Sequence, residues 1–252
     1  MPKAIDVINE IEKFAPLEIM EAYDNSGLMI GSKSADVTGV YIALNLSEKV
    51  IEDAVKYGCN FILTHHPLIF NPLTMVDYDS ITGKLVKRTI EKGITVYSAH
   101  TSCDNAPNSI GYQNLINIGC TGVEKCGEMV VGDIDECLAK DIAEKLKIVT
   151  GDKNLQVAKP NVIVKKVAHV NGSGGRMEEL LPVIKQKGVD LYISSEFKYS
   201  FLCDLTSEGI AVIELNHFNS EKSFLTIMNN ILSEKFDNVV VCPFSQNPYE
   251  EE

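Results

Sequence analysis

The fold is decided by the stretch Phe61-Ile62-Leu63-Thr64-His65-His66-Pro67, in which a short apolar run ends abruptly at two histidines and a proline. A run of this length bounded by a proline is typical of a buried strand. Ligands of α/β proteins bind where strands end, and neutral imidazole is a common ligand for zinc, iron and manganese. Because a His-His pair in a loop is often only solvated or hydrogen-bonded, the pair alone does not establish a metal site.

The segments around this stretch alternate between helical and strand patterns. The periodicity predicts helices over 4–14, 47–57 and 81–92 and strands over 37–44, 61–64 and 94–98. Ser47 is suited to cap the second helix, and Gly58 is suited to end it. This alternation indicates an α/β fold.

The second half of the chain repeats the order of the first. The strand pattern 61–64 corresponds to 191–194, and the strand that Gly93 introduces corresponds to the one that Gly209 introduces. We therefore predict two similar α/β lobes with mixed sheets, over 1–125 and 126–252, with a seam near 120–132. No proline- or serine-rich linker separates the lobes, so they could interlock. The alternative is that any two βαβ units look alike at this level of detail.

Composition and charge limit the class of protein and partner. A chain of 252 residues with 45% hydrophobic residues suffices for one large domain or two compact lobes. The 23 basic and 35 acidic residues give a net charge of −12, which disfavours a large interface with nucleic acid.

Several features predict a cytoplasmic protein that does not span a membrane. No apolar run approaches the ~20 residues that a membrane helix needs, and 1–12 carries acidic residues where a signal peptide is basic and then apolar. The seven cysteines are an odd number without a Cys-x-x-Cys pair, which indicates reduced thiols and no zinc ribbon.

Metal-competent side chains follow three of the predicted strands. They are His65 and His66, then His100 and Asp104, and finally His217 and Glu221. If the strands are mostly parallel, their ends lie at one edge of a sheet, where ligands bind in such folds. The sequence therefore predicts that these residues converge.

The donor set favours two metal ions. Imidazole nitrogens and carboxylate oxygens without thiolate suit zinc, iron or manganese, and five ligands are too many for one open tetrahedral site. The adjacent side chains of His65 and His66 diverge, so that each can bind a different ion. Two divalent ions lower the pKa of a bound water toward neutrality, which indicates hydrolysis.

Two of these residues have alternative roles. His100 could be a sixth ligand, could orient a ligand, or could be a general acid or base, and we favour the roles other than ligand. Glu221 is predicted in the first turn of a helix capped by Asn219 or Ser220, where it could serve only the helix dipole. His169 lies within the apolar strand 162–170 and is predicted to be a core histidine.

A glycine-rich turn and a following acidic residue could add to the site. The turn Asn171-Gly172-Ser173-Gly174-Gly175 precedes Arg176 and could bind an anion through its backbone, but a plain tight turn fits the pattern equally well. Glu196 follows the strand that corresponds to 61–64 and is expected to line the pocket.

The motifs together resemble one family. They are Ala15-Pro16-Leu17-Glu18, Tyr23-Asp24-Asn25-Ser26-Gly27-Leu28, Thr64-His65-His66-Pro67-Leu68, Ser98-Ala99-His100-Thr101-Ser102-Cys103-Asp104, Gly172-Ser173-Gly174-Gly175, and Asn216-His217-Phe218 through Glu221. In this order they resemble the GTP cyclohydrolase 1 type 2 homologues, also called Nif-three-like proteins, over nearly the whole chain. The sequence departs from the family at Tyr23, Ser195 and Ser200, where tryptophan, glycine and histidine are common.

The resemblance implies a ligand set, an architecture and an assembly. The implied ligands of two divalent ions are His65, His66, Asp104, His217 and Glu221. The family further implies two related α/β lobes with the dinuclear metal site between them, and a ring-shaped homohexamer.

The resulting hypothesis is a metal-dependent hydrolase of a nucleotide-like small molecule. The family name suggests that GTP is opened at C8 to release formate and form dihydroneopterin triphosphate, with His100 transferring protons. The same centre could hydrolyse a phosphoester. The rival from another class is a metal-binding scaffold or regulatory ring without turnover.

Overall fold

A computed structural model describes residues 1–249, and the chain divides into two compact units. Unit 1 joins Met1–Ala106 to the segment that begins at Phe224, and unit 2 is Pro107–Ser223. These units differ from the predicted lobes 1–125 and 126–252. The difference arises because residues 239–241 pair in parallel with residues 40–42, so that the last described strand completes the first sheet.

Helices and strands alternate along the chain, as the sequence pattern predicts. The first segment of unit 1 contains α1 Ala4–Phe14, β1 Gly27–Ile30, β2 Val40–Ala43, α2 Glu48–Lys56, β3 Phe61–Thr64, α3 Ile81–Glu91, β4 Thr95–Ser98 and α4 Thr101–Asp104. Unit 2 contains α5 Ile110–Asn117, β5 Thr121–Cys126, β6 Met129–Leu138, α6 Ala139–Thr150, β7 Gln156–Ala158, β8 Ile163–His169, α7 Leu181–Gln186, β9 Leu191–Ser194, α8 Tyr199–Ser207, β10 Ala211–Glu214 and α9 His217–Glu221. The chain continues with α10 Ser223–Ser233 and β11 Val239–Val241.

Unit 1 is built on a five-stranded mixed sheet in the order β1-β4-β3-β2-β11. The last four of these strands are parallel, and β1 is antiparallel to β4 at one edge. Every residue of β2, β3 and β4 is buried, because helices cover both faces of a parallel sheet. The predicted strand 61–64 is therefore confirmed as a central strand.

Local sequence explains where the helices of unit 1 begin. The Ser47 hydroxyl accepts a hydrogen bond from the Val50 backbone N–H at 3.2 Å, which confirms the predicted cap of α2. On α1, Ala4, Val7, Ile8 and Ile11 are buried, which is the spacing of a single helical face. The apolar periodicity thus determines which face of each helix packs on the sheet.

Unit 2 is built on a six-stranded mixed sheet in the order β5-β6-β8-β9-β10-β7. Strands β8, β9 and β10 are parallel, and the other pairs are antiparallel. Two apolar clusters pack on this sheet, one around Leu146 and Ile213 and the other around Tyr192 and Phe201.

The three parallel strands of each unit share one arrangement. In unit 1 Val40 pairs with Phe61, which pairs with Thr95. In unit 2 Val167 pairs with Leu191, which pairs with Ala211, as the repeat in the sequence predicts. The prediction of two similar α/β units with mixed sheets is thereby confirmed.

One predicted helix start is wrong. The sequence predicts a helix capped by Asn219 or Ser220, with Glu221 in its first turn. Instead, Glu221 is the last residue of helix α9, which begins at His217, and the predicted helix through Phe224, Leu225 and Met228 is α10, which begins at Ser223. Asn216, Asn219 and Ser220 are all favourable cap residues, so composition alone does not select the start.

None of the helices in residues 1–249 combines the length and the apolar composition that crossing a membrane requires.

Candidate metal centre

Two neighbouring strand ends of unit 1 bring three histidines together. Strands β3 and β4 pair in register from Phe61 with Thr95 to Thr64 with Ser98, so they end at the same level. His65 and His66 follow β3, and His100 follows β4. One ring nitrogen of each histidine lies within 4.8 Å of a ring nitrogen of both others, a spacing that could hold a metal ion.

Protein oxygens determine how the first two imidazoles are oriented. The His65 side chain is buried, and its Nδ1 lies 3.0 Å from the Ala99 carbonyl oxygen. His66 Nδ1 lies 2.9 Å from Asn45 Oδ1. These oxygens accept hydrogen bonds, so each Nδ1 carries a proton and each Nε2 can bind a cation.

Asp104 and His100 complete the group in unit 1. Asp104 is the last residue of helix α4, and its Oδ1 lies 3.8 Å from His65 Nε2. His100 precedes this helix, and its Nδ1 lies 2.7 Å from Oδ1 of the buried Asp24. Sequence reasoning placed Asp24 only within a family motif and gave it no role. The signal that could have identified Asp24 is that it is a carboxylate in one of the family motifs, the others of which contain the candidate metal ligands.

In unit 2, His217 and Glu221 lie one turn apart on helix α9. Their Nε2 and Oε1 atoms are 3.1 Å apart. Two donor atoms that bind one zinc ion at about 2 Å are themselves about 3 Å apart, so the pair has a suitable spacing. Glu221 is buried, and a buried carboxylate needs hydrogen bonds or positive charge nearby. The protonated imidazole of His217 can provide that charge, and so can a divalent cation.

Glu196 orients the imidazole of His217. Its Oε1 lies 2.6 Å from His217 Nδ1. Its Oε2 forms an ion pair with Arg176, whose Nη2 lies 2.9 Å away. Glu196 has a φ of +56°, a left-handed conformation that is unusual for a residue with a side chain and is often found at functional sites. The sequence predicted that Glu196 lines the pocket and that Arg176 could add a charged contact to an anion, and in the structure Arg176 pairs with Glu196.

The two carboxylates also determine the protonation of His217. Burial alone would lower the pKa of its imidazole, but hydrogen bonds and charges from Glu221 and Glu196 outweigh burial and raise the pKa to about 9. The positive charge on this imidazole compensates the acidic groups around it. A metal ligand must be neutral, so metal binding at Nε2 would release this proton.

The glycine-rich turn packs directly against this pair. Gly172 has a φ of +61°, and its N–H donates to Ser220 Oγ at 3.1 Å. A Cβ atom on Gly172 would lie 2.4 Å from Glu221 Oε1 and 3.3 Å from His217 Nε2. A side chain at residue 172 would therefore displace the carboxylate of Glu221.

His169 is a core residue, as the sequence predicts. Its Nδ1 lies 2.9 Å from the Ile193 carbonyl oxygen, and its Nε2 lies 3.1 Å from Asn114 Nδ2. Burial lowers the pKa of this imidazole to about 4, so the ring is neutral at pH 7. Both nitrogens are therefore occupied within the protein.

The predicted site residues lie in both units, with His65, His66, His100 and Asp104 in unit 1 and His217 and Glu221 in unit 2. In His65, His66, His100 and His217, Nδ1 is directed at a protein oxygen, so Nε2 is the nitrogen that could bind an ion. Hydrogen bonding of the second nitrogen is typical of histidines that bind metals. Nitrogen and carboxylate donors without thiolate suit zinc, iron or manganese. The residues present therefore fit a divalent metal.

Comparison with known proteins identifies the family. A profile described as Duf34/NIF3 (NGG1p interacting factor 3) matches residues 2–248. The chain belongs to the Duf34/NIF3 family. Its relatives include a GTP cyclohydrolase 1 type 2 homolog from Clostridium perfringens, which is 31% identical over 98% of this chain and 99% of that protein.

One further relative and one solved structure are similar to this chain. A protein named GTP cyclohydrolase 1 type 2 from Helicobacter pylori is 29% identical over 96% of each chain. The crystal structure of a Bacillus cereus protein related to NIF3 superposes with a TM-score of 0.90, covers 100% of this chain and 99% of its own, and is 20% identical. This structural likeness confirms the α/β fold of the Duf34/NIF3 family in this chain.

Proposed function

We propose that this Duf34/NIF3 protein is a hydrolase of a nucleotide-like small molecule and that it uses two divalent metal ions. The proposed ligands are His65, His66, Asp104, His217 and Glu221. The observation that carries the proposal is the common orientation of the histidines, whose Nδ1 atoms are all directed at protein oxygens. The names of the relatives support GTP as the first substrate to test.

The ions and the side chains would have separate tasks. When bound, two divalent ions act as Lewis acids and lower the pKa of water toward neutrality. His65 and His66 would each present Nε2 to a different ion, and Asp104 and Glu221 would supply the negative charge that balances the ions. His100 would accept or donate a proton at Nε2 near the leaving group.

The reaction that the relatives' names suggest is the opening of the GTP purine at C8. Water would add at C8 and open the imidazole ring to a formamide, and a second water would release formate. Rearrangement of the ribose chain and ring closure with loss of one water would then give dihydroneopterin triphosphate. Proton transfer is needed both when water adds and when the ring nitrogen leaves, and His100 is the side chain of unit 1 that we assign to this task. Phosphoester hydrolysis requires the same nucleophile and is the alternative reaction.

The test compares the natural chain with two histidine variants. Each protein is loaded separately with zinc, iron and manganese, the metal per chain is counted by elemental analysis, and GTP and a panel of phosphoesters are supplied. We expect about two ions per natural chain and formate release from GTP. His66→Ala should lose metal and turnover. His169→Gln is the matched control, since it removes an imidazole whose two nitrogens are both occupied within the protein.

Each outcome favours one hypothesis. Turnover that persists in His66→Ala contradicts the hydrolase as framed. Release of phosphate in place of formate identifies a phosphoesterase. Metal binding without turnover of any substrate supports a scaffold or regulatory ring.

Assembly and location belong to the same proposal. We expect a cytoplasmic protein that assembles as a homohexamer of 27.8 kDa chains. Light scattering in solution would measure the mass of the assembly. The seven cysteines, all of which lie in the described part of the chain, are free thiols, and this agrees with a reducing compartment.

A further inference from the structure

Asp24 is a buried carboxylate to which the proposed function gives no task. We propose that Asp24 is the positioning residue of His100. It holds the His100 imidazole with the proton on Nδ1 and with Nε2 directed toward the histidine cluster, which consists of His65, His66 and His100. This inference rests on the proposed function for the role of His100 in the reaction. The orientation itself follows from contacts within unit 1.

The two oxygens of Asp24 have different partners. Oδ1 accepts a hydrogen bond from His100 Nδ1 at 2.7 Å. Oδ2 accepts from the Thr101 backbone N–H at 3.1 Å, from the Thr101 hydroxyl at 2.5 Å and from the Ser26 hydroxyl at 2.7 Å. Since three donors occupy Oδ2, the carboxylate cannot rotate without breaking them. Oδ1 is thereby fixed toward His100.

The surroundings keep Asp24 ionised. Its side chain is inaccessible to solvent, and burial raises the pKa of the carboxyl. The hydrogen bonds that it accepts outweigh burial and hold its pKa well below the ordinary value. An ionised carboxylate has no proton to donate, so the shared proton belongs to His100 Nδ1.

The same contacts determine which nitrogen reaches the cluster. The ring centroid of His100 lies 5.2 Å from that of His65 and 5.6 Å from that of His66. The His100 backbone N–H donates to Ser26 Oγ at 3.1 Å, so the backbone is held as well as the ring. With Nδ1 bound to Asp24, Nε2 is the nitrogen that can accept a proton near the other histidines.

A purely structural role for Asp24 makes a different prediction. In a structural role, Asp24 would only connect residues 24–26 to the start of helix α4. An amide of the same shape would then replace the carboxylate with little effect on the tautomer of His100. The positioning role predicts that Asp24→Asn changes the tautomer of His100. The Thr101 N–H cannot turn away, so the amide oxygen must stay at the Oδ2 position and the amide NH₂ must face His100 Nδ1. Nδ1 then accepts a hydrogen bond, and the proton moves to Nε2.

The experiment reads the tautomer directly. Zinc-loaded natural protein, Asp24→Asn and Asp190→Asn are labelled with ¹⁵N at their five histidines and studied by magic-angle-spinning NMR, in which particle size is no obstacle. Spectra of His100→Gln assign the His100 signals. Asp190 is the matched control, because its Oδ2 accepts the backbone N–H groups of Lys165 and Lys166 at 2.8 and 3.0 Å, and none of its described hydrogen bonds involves a histidine.

We expect a protonated Nδ1 in the natural protein and in Asp190→Asn, and a protonated Nε2 in Asp24→Asn. Metal content should be equal in all three proteins. A natural protein with the proton on Nε2, an unchanged tautomer in Asp24→Asn, or metal loss confined to Asp24→Asn would overturn the inference. If Asp24→Asn does not fold, the spectrum of the natural protein still tests the inference, because it shows whether Nδ1 or Nε2 of His100 carries the proton.

Kinetics provide a second readout. A positioned acid or base contributes about 10²- to 10⁴-fold to a rate, so kcat of Asp24→Asn should fall at least about 100-fold with little change in KM. The double variant Asp24→Asn/His100→Gln should be no slower than His100→Gln, and a further loss would contradict a role through His100. If the natural protein turns over no substrate, the proposed function fails, whereas the spectra still test Asp24.

Discussion

Replacing Gly172 by alanine would place a methyl group against the carboxylate of Glu221. The new Cβ would lie 2.4 Å from Glu221 Oε1, whereas ordinary contacts between such atoms begin near 3.4 Å. Glu221 would have to withdraw by about 1 Å, and its 3.1 Å contact with His217 would be lost or distorted. Disturbing the groups that support a metal ligand typically costs 10- to 100-fold in metal affinity, and we expect a loss of at least this size.

Backbone strain must be separated from this steric effect. Gly172 has a φ of +61°, and a residue with a side chain costs about 1–2 kcal/mol in the left-handed region. Gly188 has a φ of +67° and would meet no heavy atom within 4 Å in the described structure. Gly188→Ala is therefore the matched control, since it introduces the same strain without the contact.

The assay has two parts. Both variants should be destabilised in thermal unfolding, by a few degrees for a chain of this size. In zinc titrations against a chromophoric chelator, only Gly172→Ala should bind more weakly than the natural protein. Equal zinc affinity in the two variants would refute the assignment of His217 and Glu221 as metal ligands that contact the glycine-rich turn.

Three further predictions concern stability. Burial lowers the pKa of His169 to about 4, below its value of about 6.5 in the unfolded chain, so the unfolded state binds more protons below pH 6.5. Denaturant unfolding should show stability falling between pH 6.5 and 4, by up to about 3 kcal/mol, and His169→Gln should flatten this slope. Ser47→Ala removes the cap of α2 and should lower the free energy of unfolding by about 1 kcal/mol in urea, whereas Ser47→Asp should restore it. Removal of bound metal with a chelator should lower the melting temperature of the natural protein but leave that of His66→Ala almost unchanged, because a ligand stabilises only a fold that binds it.

Local patterns predicted the central strands well. Strand β3 begins at Phe61 and ends at Thr64 as predicted, because turn-forming residues, Gly58 and Pro67, lie on either side of the buried run. The matching registers of the two units also follow from the repeated order of strands. Burial on both faces and turn residues at both ends are properties that a sequence displays directly.

Features that depend on distant contacts were not predictable in the same way. The units of the structure divide the chain at different residues from the predicted lobes, because the pairing of β11 with β2 leaves no local signature. Asp24 was given no role because its partner, His100, lies 76 residues away along the chain. The predicted ligands were found from their positions after strands, and their convergence on one pair of ions stays a prediction for the metal count to test.

The place of β11 in the first sheet has a consequence for synthesis on the ribosome. β2 pairs with a strand that emerges ~200 residues later, which at 5–20 residues per second is a delay of about 10–40 s. Throughout that interval one side of β2 exposes unpaired backbone groups, which invite pairing with other nascent chains. Unit 2 is a continuous stretch of chain and has no such wait, so the half that is translated first would be the last to be completed.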